Sequence, residues 1–274
     1  MTPAERTRAL RREQKAWLED LRLKQTTSSD AIADFLDAAI FVITQQINEM
    51  PITEWEAWRL PQLKSEIQRA LADLEAQLKT TGTAAANEAW QNGINRVAKP
   101  LESAGVTLAP ELLQIDTRRL MAMRVFMIDR LADISTQAIP QINAQLGLIS
   151  IGATDRHAAI QVIGKVVGEG GKARARTIID TELSRMSEVA RNEAHASVAS
   201  KVPGIKKRWK KSNKLHSRRA HDKADGQIVD HDKPFTVNGI KMMHPHDPKA
   251  PAKEVINCGC KSLMHVDNWK TVDS

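Results

Sequence analysis

The sequence predicts a mainly α-helical protein that ends in a small α+β module. Leucine, isoleucine, valine and alanine supply most of the apolar residues, while the 274-residue chain has four phenylalanines and no tyrosine. This composition favours helices over a β-sandwich rich in aromatic residues. Helical periodicity fills residues 1–150, and short segments with frequent turn residues follow Pro203. We therefore expect a long-helix bundle or array followed by a compact α+β module.

The first part of the chain is predicted to contain separate helices joined by polar breaks. A charged helix over residues 2–24 is expected to be an exposed or partner-bound arm. The polar residues 25–30 predict a break before a second helix over 31–50, which Pro51 ends. The elements expected next are a short segment over 53–60 with Trp55 and Trp58 as core anchors, a helix over 62–79, a break at 80–83, a helix over 84–101 and a loop with Gly105 and Pro110.

Residues 116–146 show the clearest apolar periodicity in the chain. The stripe alternates steps of four and three residues and comprises Met121, Val125, Ile128, Ala132, Ser135, Ile139, Ile142 and Leu146. Such a stripe fits packing inside the chain's own bundle, and it also fits a coiled-coil oligomer. Pro140 is expected to kink this helix or to split it.

The following residues are predicted to form two helices with a glycine-rich joint between them. The helices are expected over 154–167 and 172–201, and the joint is residues 168–171. A phosphate-binding loop is excluded because Lys172 is followed by Ala173 rather than by serine or threonine. The joint is therefore interpreted as a hinge or a cap.

Beyond Pro203 the sequence predicts four short strands, over residues 205–210, 227–229, 235–237 and 262–266. Asn238-Gly239 is a hairpin signal, because both residues accept the left-handed backbone of a tight two-residue turn. The module is expected to cover about residues 203–267, and the helix from Lys172 is expected to pack against it.

Positive charge is concentrated in the second half of the chain. Residues 1–150 hold 17 basic and 19 acidic residues, while residues 151–274 hold 23 and 14. Such a patch favours a polyanion through phosphate contacts without base readout, although a solvated face is the simpler alternative. The candidate nucleic-acid-binding residues are Lys206, Lys207, Arg208, Lys210, Lys211, Lys214, Arg218 and Arg219.

Both cysteines lie in the motif Asn257-Cys258-Gly259-Cys260. A disulfide between neighbours this close would be strained, so a reduced compartment or a metal is favoured. The chain shows neither an apolar span long enough for a bilayer nor a secretory leader, so a cytosol-like compartment is expected. The candidate ligands of a structural zinc are Cys258, Cys260 and His221, with Asp247, His244 or His246 as the fourth. The alternative is a packed turn of reduced thiols.

The order of residues in the second half resembles the head-morphogenesis family typified by phage Mu protein F. The matching positions are Thr181-Glu182, Asn192, Lys207-Arg208-Trp209, Arg218, His221, Asp225-Gly226, Phe235, Pro245, Asp247 and Asn257-Cys258-Gly259-Cys260. Gly259 replaces the arginine usual in the family, and His244 replaces a tyrosine. The predicted division is a helical partner-docking region over 1–150 and a Mu F-like domain over 151–274.

The resemblance implies a minor head protein of a tailed phage, placed near the portal in the procapsid. Its expected partners are portal and capsid proteins and packaged double-stranded DNA. Its expected location is the virion, with the host cytoplasm during assembly, and no enzymatic activity is implied. The alternatives are a metal-dependent nuclease using His216, His221 or His231 with nearby aspartates, and a sequence-independent nucleic-acid-binding protein.

Overall fold

The computed structural model describes residues 1–49, 60–212 and 217–272. Trp55, Trp58, Lys214 and His216 lie outside these ranges. The helices are α1 (Pro3–Glu49), α2 (Leu60–Ser103), α3 (Arg118–Ser150), α4 (Arg156–Ile163) and α5 (Gly171–Ala199), with a 3-10 turn at Pro110–Leu113 and a π-helical turn at Gly164–Gly170. Long helices thus precede a small module of strands and short helices, which confirms the predicted fold class.

The predicted break at residues 25–30 is wrong, because α1 continues through it. The inward row of this helix runs Leu21, Gln25, Ser29, Ile32 and Leu36 at helical spacing, and all but Gln25 are buried. Gln25 and Ser29 therefore lie in the inward row of a continuous helix, Thr26, Thr27 and Asp30 are exposed on it, and none of these residues caps a helix end. Packing here overrides the local capping preference.

The break predicted at residues 80–83 is also absent, because α2 runs without interruption. A Cβ added to Gly82 would lie 3.3 Å from Leu131 and 3.4 Å from Met127. The glycine thus allows close packing against α3. Its contribution is small size rather than flexibility.

The chain divides into two compact units. Unit 1 comprises residues 1–25, 85–123 and 180–274, and unit 2 comprises residues 26–84 and 124–179. The chain passes between the units within α1, α2, α3 and α5. The predicted division near residue 150 stays a prediction.

Unit 2 has an apolar helical interior. Its buried residues come from all of its helices and include Leu36, Ile43, Ile47, Leu63, Ile67, Leu71, Leu74, Met127, Leu131, Ile134, Ile142, Leu146, Ile163 and Val167. A Cβ on Gly171 would lie 3.4 Å from Ile134 and 3.6 Å from Leu36. Gly168 and Gly171 of the predicted joint are thus buried, while the two residues between them are exposed. The π-helical turn leads straight into α5. The cap interpretation is wrong, because Gly171 has right-handed helical backbone angles, and the hinge interpretation stays a prediction.

The stripe predicted on α3 has the wrong phase in its first turns. Met121 and Val125 are more than half exposed, whereas Ile142 and Leu146 are buried. A repeat of 3.5 residues drifts by about 20° per heptad relative to a straight helix, so the buried face leaves the predicted row. Pro140 does not split the helix, because it lies on the exposed side where water can serve the freed carbonyl.

In unit 1 the start of α1 packs on the chain's own C-terminal residues, so the predicted exposed arm is wrong. Leu10 belongs to an apolar cluster with Val97, Ile205, Met264 and Trp269. The guanidinium of Arg6 lies 4.3 Å from the ring of Trp269. These contacts bind the first residues of the chain into the α+β module.

The module holds a three-stranded antiparallel sheet of order β2-β1-β5. Its strands are β1 (Ile205–Lys210), β2 (Ile228–Asp230) and β5 (Lys261–Val266). Lys207 pairs with Val229 on one side and with Met264 on the other. The alternating burial of β1 directs Ile205, Lys207 and Trp209 inward.

A second, two-stranded sheet is the predicted hairpin, formed by β3 (Phe235–Val237) and β4 (Ile240–Met242). Asn238 and Gly239 have φ values of 53° and 75°, which confirms the two-residue turn. Three short helices complete the module, namely α6 (Arg219–Lys223), α7 (Ala252–Val255) and α8 (Trp269–Val272).

Candidate metal centre

Two short elements bring one histidine and two cysteines together. His221 lies on α6, and Cys258 and Cys260 lie in the connection between α7 and β5. Asn257 turns this connection with a φ of 55°, and its N–H donates to Thr181 Oγ1 at 3.2 Å. The Nδ1 atom of His221 is 3.5 Å from each sulfur. The sequence motif thus forms a three-residue cluster.

The cluster lies inside the apolar core of the module. His221 and Cys260 are each 1% exposed, and Cys258 is 5% exposed. The ring of Trp209 meets His221 edge-on, with 5.9 Å between ring centroids, and contacts Phe235 in the same way at 5.4 Å. Aromatic side chains thereby exclude water from the sulfur atoms.

A carboxylate fixes the orientation of the histidine. His221 Nε2 is 2.9 Å from Glu254 Oε2, and Asn238 Nδ2 donates to Glu254 Oε1 at 2.9 Å. Because a carboxylate accepts, Nε2 carries a proton and Nδ1 faces the two sulfurs. A carboxylate behind the second ring nitrogen is the usual support of a metal-bound histidine. The hairpin turn at Asn238 therefore takes part in the site.

The electrostatics of the cluster favour a thiolate. Hydrogen bonds from Cys260 and His221 lower the pKa of Cys258 to about 5. Hydrogen bonding to Cys258, followed by burial, raises the pKa of Cys260. The bond to Cys258 also raises the pKa of His221. The lowered pKa favours a thiolate at Cys258, and a metal would displace the proton of Cys260 together with any proton on His221 Nδ1.

Two sulfurs and an imidazole nitrogen form a donor set that suits zinc. One atom from each of these residues lies within 4.8 Å of the others. Among the described residues, no fourth histidine, cysteine, aspartate or glutamate joins this group. The residues present fit a zinc ion and leave its fourth ligand unassigned.

The other predicted ligands serve a neighbouring turn. Asp247 accepts the N–H groups of Met243 at 2.8 Å and Lys249 at 2.9 Å. Burial lowers the pKa of His244, whose Nδ1 is 2.8 Å from the carbonyl of Pro245. His246 is buried and has a φ of 60°. None of these three side chains belongs to the cluster around His221.

Several of the predicted nucleic-acid-binding residues make contacts within the chain. Lys206 Nζ is 2.7 Å from Asp267, and Lys210 Nζ is 3.7 Å from Asp225. Lys207 is fully buried and donates to the carbonyl of Met243 at 2.7 Å. These pairings reduce the free positive charge along β1.

The remaining basic residues of this set differ in exposure. Arg218 donates to the carbonyl of Ile256 at 2.8 Å, and Arg208 is half-buried. Lys211 and Arg219 are exposed, while Lys214 lies outside the described residues. Among the described members of this set, Lys211 and Arg219 are thus the exposed residues.

Sequence reasoning missed a buried polar layer beside the module. Thr181, Ser184, Glu188, Arg191 and His195 follow one another on α5 in steps of three and four residues, and all are at most 3% exposed. This spacing was the available signal, because a polar row in helical phase marks one face. Apolar periodicity alone could not reveal it.

The centre of this layer is an ion pair between Arg96 and Glu188, with 2.8 Å between Nη1 and Oε1. Arg96 also donates to the carbonyl of Ser262, and the N–H of Ser262 donates to Glu188 Oε2. Burial alone would raise the pKa of Glu188, but the charges of Arg96, Lys261 and Arg191 lower it. The layer thus joins α2, α5 and β5.

The fold and this cluster define a helical protein with a small α+β module that carries a candidate metal centre. Residues 149–263 match the family model described as Phage Mu protein F like protein. The match confirms the resemblance seen in the sequence, and it covers the whole His-Cys-Cys cluster.

Two curated relatives match part of this chain. An NAD(+)–arginine ADP-ribosyltransferase EFV of Enterococcus faecalis is 32% identical over 104 residues, which are 36% of this chain and 20% of that protein. The uncharacterized protein YqbB of Bacillus subtilis is 32% identical over 114 residues, or 40% of this chain and 36% of that protein. The chain thus spans a minor part of either relative. No solved structure matches.

Proposed function

We propose that this protein is a minor head protein of a tailed phage that acts in procapsid assembly near the portal. The match of residues 149–263 to the Mu F-like family carries this proposal. Its location is then the virion, after assembly in the host cytoplasm. Within the described residues, no helix has the length and hydropathy needed to cross a membrane.

Exposed apolar side chains in unit 2 support docking on other head proteins. Phe41 and Val42 on α1 are 63% and 41% exposed, and Val125 and Phe126 on α3 are 56% and 49% exposed. Large apolar side chains that stay in water favour burial against a partner. We assign the helical part of the chain to portal or capsid contacts.

Co-expression with the portal protein of the same phage genome, followed by size-exclusion chromatography, tests this function. The chain is expected to elute with the portal ring, and Phe41→Glu/Phe126→Glu is expected to elute separately. Thr136→Glu, an exposed polar position on α3, is the matched control and keeps the complex. Normal heads from a phage lacking this gene would contradict the proposal.

Binding of packaged DNA through Lys211 and Arg219 is the second part of the proposal. Both side chains are exposed in the basic region of the module. Each phosphate that the protein no longer neutralises should reduce the slope of log affinity against log salt by about 0.9. Lys211→Ala/Arg219→Ala is expected to lower that slope by about 2, whereas Arg69→Ala/Lys79→Ala on α2 leaves it unchanged. Equal slopes for both variants would exclude this mode of binding.

A structural zinc held by His221, Cys258 and Cys260 is the third part. Zinc would link α6 to the connection before β5 and so stabilise a module with a small core. Glu254 and Asn238 would hold the histidine in place, and Trp209 would exclude water. The role proposed for zinc in this buried cluster is therefore to stabilise the folded module.

Metal analysis by mass spectrometry tests the zinc site. About one zinc per chain is expected in the wild type and none in Cys258→Ser/Cys260→Ser. His265→Ala removes a histidine outside the cluster and should keep the metal. A wild-type protein without metal after growth in zinc-supplemented medium would overturn this assignment.

Nuclease chemistry receives no comparable support. His221 is 1% exposed, and both of its ring nitrogens face other groups, so it is not placed to act as a base on a DNA phosphate. The transferase named among the relatives shares a fifth of its length with this chain. A structural role therefore remains the proposal.

A further inference from the structure

Arg191 on α5 lacks a hydrogen-bond acceptor in the interior of unit 1. The residue is 1% exposed, and neither Nη1 nor Nη2 has a partner among the described residues. A buried charged group without an acceptor costs far more than one in water. The two nitrogens therefore point to an occupant that the chain itself does not supply.

The neighbouring carboxylate makes no hydrogen bond to Nη1 or Nη2 of Arg191, and each of its oxygens accepts from another group. Glu188 Oε1 accepts from Arg96 at 2.8 Å, and Oε2 accepts from the N–H of Ser262 at 3.1 Å. Ser187, also beside this pair, accepts from Arg96 at 3.2 Å and donates to Asn92 at 3.1 Å. Arg96 thus takes part in these hydrogen bonds, whereas Nη1 and Nη2 of Arg191 do not.

Close helix packing also prevents α2 from supplying a side chain at this position. A Cβ added to Gly93 would lie 2.4 Å from the carbonyl oxygen of Ser187 and 3.0 Å from the backbone nitrogen of Arg191. Glycine is required for this approach of the two helices. Position 93 of α2 therefore cannot carry a side-chain acceptor for Arg191.

The charges around Arg191 are mainly positive. Arg96 and Lys207 both interact electrostatically with Arg191. Glu188 is the carboxylate that acts on Arg191, whereas Asp232 and Asp247 act on Lys207. Burial, aided by Arg96, lowers the pKa of Arg191 to about 9 despite Glu188. Arg191 thus interacts with two further cations and with one carboxylate, whose charge it shares with Arg96.

We propose that Arg191 binds one small inorganic anion inside unit 1. The planar guanidinium offers parallel N–H groups that match an anion, and in particular two oxygens of an oxyanion. His195 and Lys207, which interact electrostatically with Arg191, are fully buried, so the occupant is small and enters as the module folds. This proposal is independent of the head-protein assignment.

Ion chromatography on denatured protein tests the proposal directly. The folded chain is exchanged into gluconate buffer, an anion too large for a buried site, and the anions released by denaturation are counted. About one chloride or phosphate per chain is expected from the wild type. Less than a tenth of that is expected from Arg191→Met, and Arg119→Met, which removes an exposed arginine on α3, should match the wild type.

Urea unfolding at constant ionic strength supplies a second measurement. Replacement of gluconate by chloride, or by inorganic phosphate, should raise the unfolding midpoint of the wild type and saturate. A larger rise of the midpoint in chloride identifies the bound anion as monatomic, and a larger rise in phosphate identifies it as an oxyanion. Should Arg191→Met fail to fold, Arg191→Lys is expected to bind at least tenfold more weakly, because it loses the fork of donors. No released anion together with equal midpoints in all three buffers would assign the site to water and overturn the proposal.

Discussion

Units 1 and 2 share four long helices, yet their interiors differ in chemistry. Of the 21 buried polar or charged residues in the described part of the chain, Ser29 and Ser135 lie in unit 2 and the other 19 lie in unit 1. Unit 2 therefore depends on apolar packing, which is not directional. Unit 1 depends on hydrogen bonds and ion pairs, which require particular partners. The polar unit is also the one that carries the candidate metal centre.

This difference shows which part of the molecule tolerates change. An apolar interior accepts substitutions that conserve volume, whereas a buried polar network fails when one partner is lost. Unit 2 can thus vary while it keeps its packing. Unit 1 is expected to tolerate fewer substitutions, because its buried polar side chains need particular partners.

Glu188→Gln provides the largest test of this comparison. It leaves Arg96 buried without its carboxylate, and removal of one partner of a buried ion pair costs about 3–5 kcal/mol. Urea denaturation should show this loss in the free energy of unfolding. The control is Ser135→Ala in unit 2, which removes a buried hydroxyl that has no partner among the described residues, and it should be nearly neutral. Equal effects of the two substitutions would remove the distinction between the units.

The glycines of the two units provide a second test. Gly93→Ala places a methyl group against the backbone of α5 and should destabilise unit 1 by about 1–3 kcal/mol or more. Gly147 on α3 has no atom within 4 Å of an added Cβ. Gly147→Ala should therefore stabilise unit 2 by about 0.5–1 kcal/mol through its higher helix propensity. Thermal unfolding of both variants checks the opposite signs, and a loss of stability in both would contradict the proposed packing.

The elements that the sequence predicted correctly are those with strong local signals. β1 and β3 have the predicted bounds, because alternating inward residues and the Asn238-Gly239 turn act over a few residues. The breaks in α1 and α2 were wrong because capping residues and glycine have the same local signal whether they end a helix or face a neighbouring one. The distinction lies in tertiary packing, as the surroundings of Gly82 show.

The candidate site was predictable by residue type but not by geometry. Cys258, Cys260 and His221 stood out as zinc-type ligands, and the structure brings them together. Glu254 and Asn238 belong to no recognisable sequence motif. They support His221 only because the hairpin turn lies next to α7 in the folded chain. The separation of Asp247 from the cluster likewise follows from a local turn, in which its carboxylate accepts two backbone N–H groups.

Glu254→Gln sharpens the comparison by asking whether polar residues of unit 1 support a metal. The amide is a weaker acceptor for the Nε2–H of His221, so zinc affinity should fall about 10–100-fold. Competition with a chromophoric chelator measures this change. Glu66→Gln on α2 in unit 2 is the control and should have no effect. If Glu254→Gln binds zinc as tightly as the wild type, Glu254 contributes to packing and does not support the metal.

The pH dependence of stability tests Lys207, a fully buried lysine of the polar unit. Burial, together with the charge of Arg191, lowers its pKa to about 8, although Asp232 and Asp247 oppose this. His244 also lies within its electrostatic reach. An unfolded lysine has a pKa of about 10.4, so the folded state prefers the neutral amine. Its contribution to stability is complete above that value and is lost as the pH falls towards about 8.

Lys207→Met removes this titration while it keeps an apolar chain of similar length. Relative to the variant, the wild type should therefore gain about 1–2 kcal/mol between pH 7 and pH 10.5, after allowance for solvent screening. Urea midpoints at closely spaced pH values measure the difference, and Lys79→Met, an exposed lysine on α2, should show none. If the gain is absent, Lys207 stays charged in the folded protein, and its carbonyl partner Met243 together with the nearby aspartates suffices to hold that charge. The interior of unit 1 would then hold a full ammonium up to about pH 10, where an unfolded lysine also titrates.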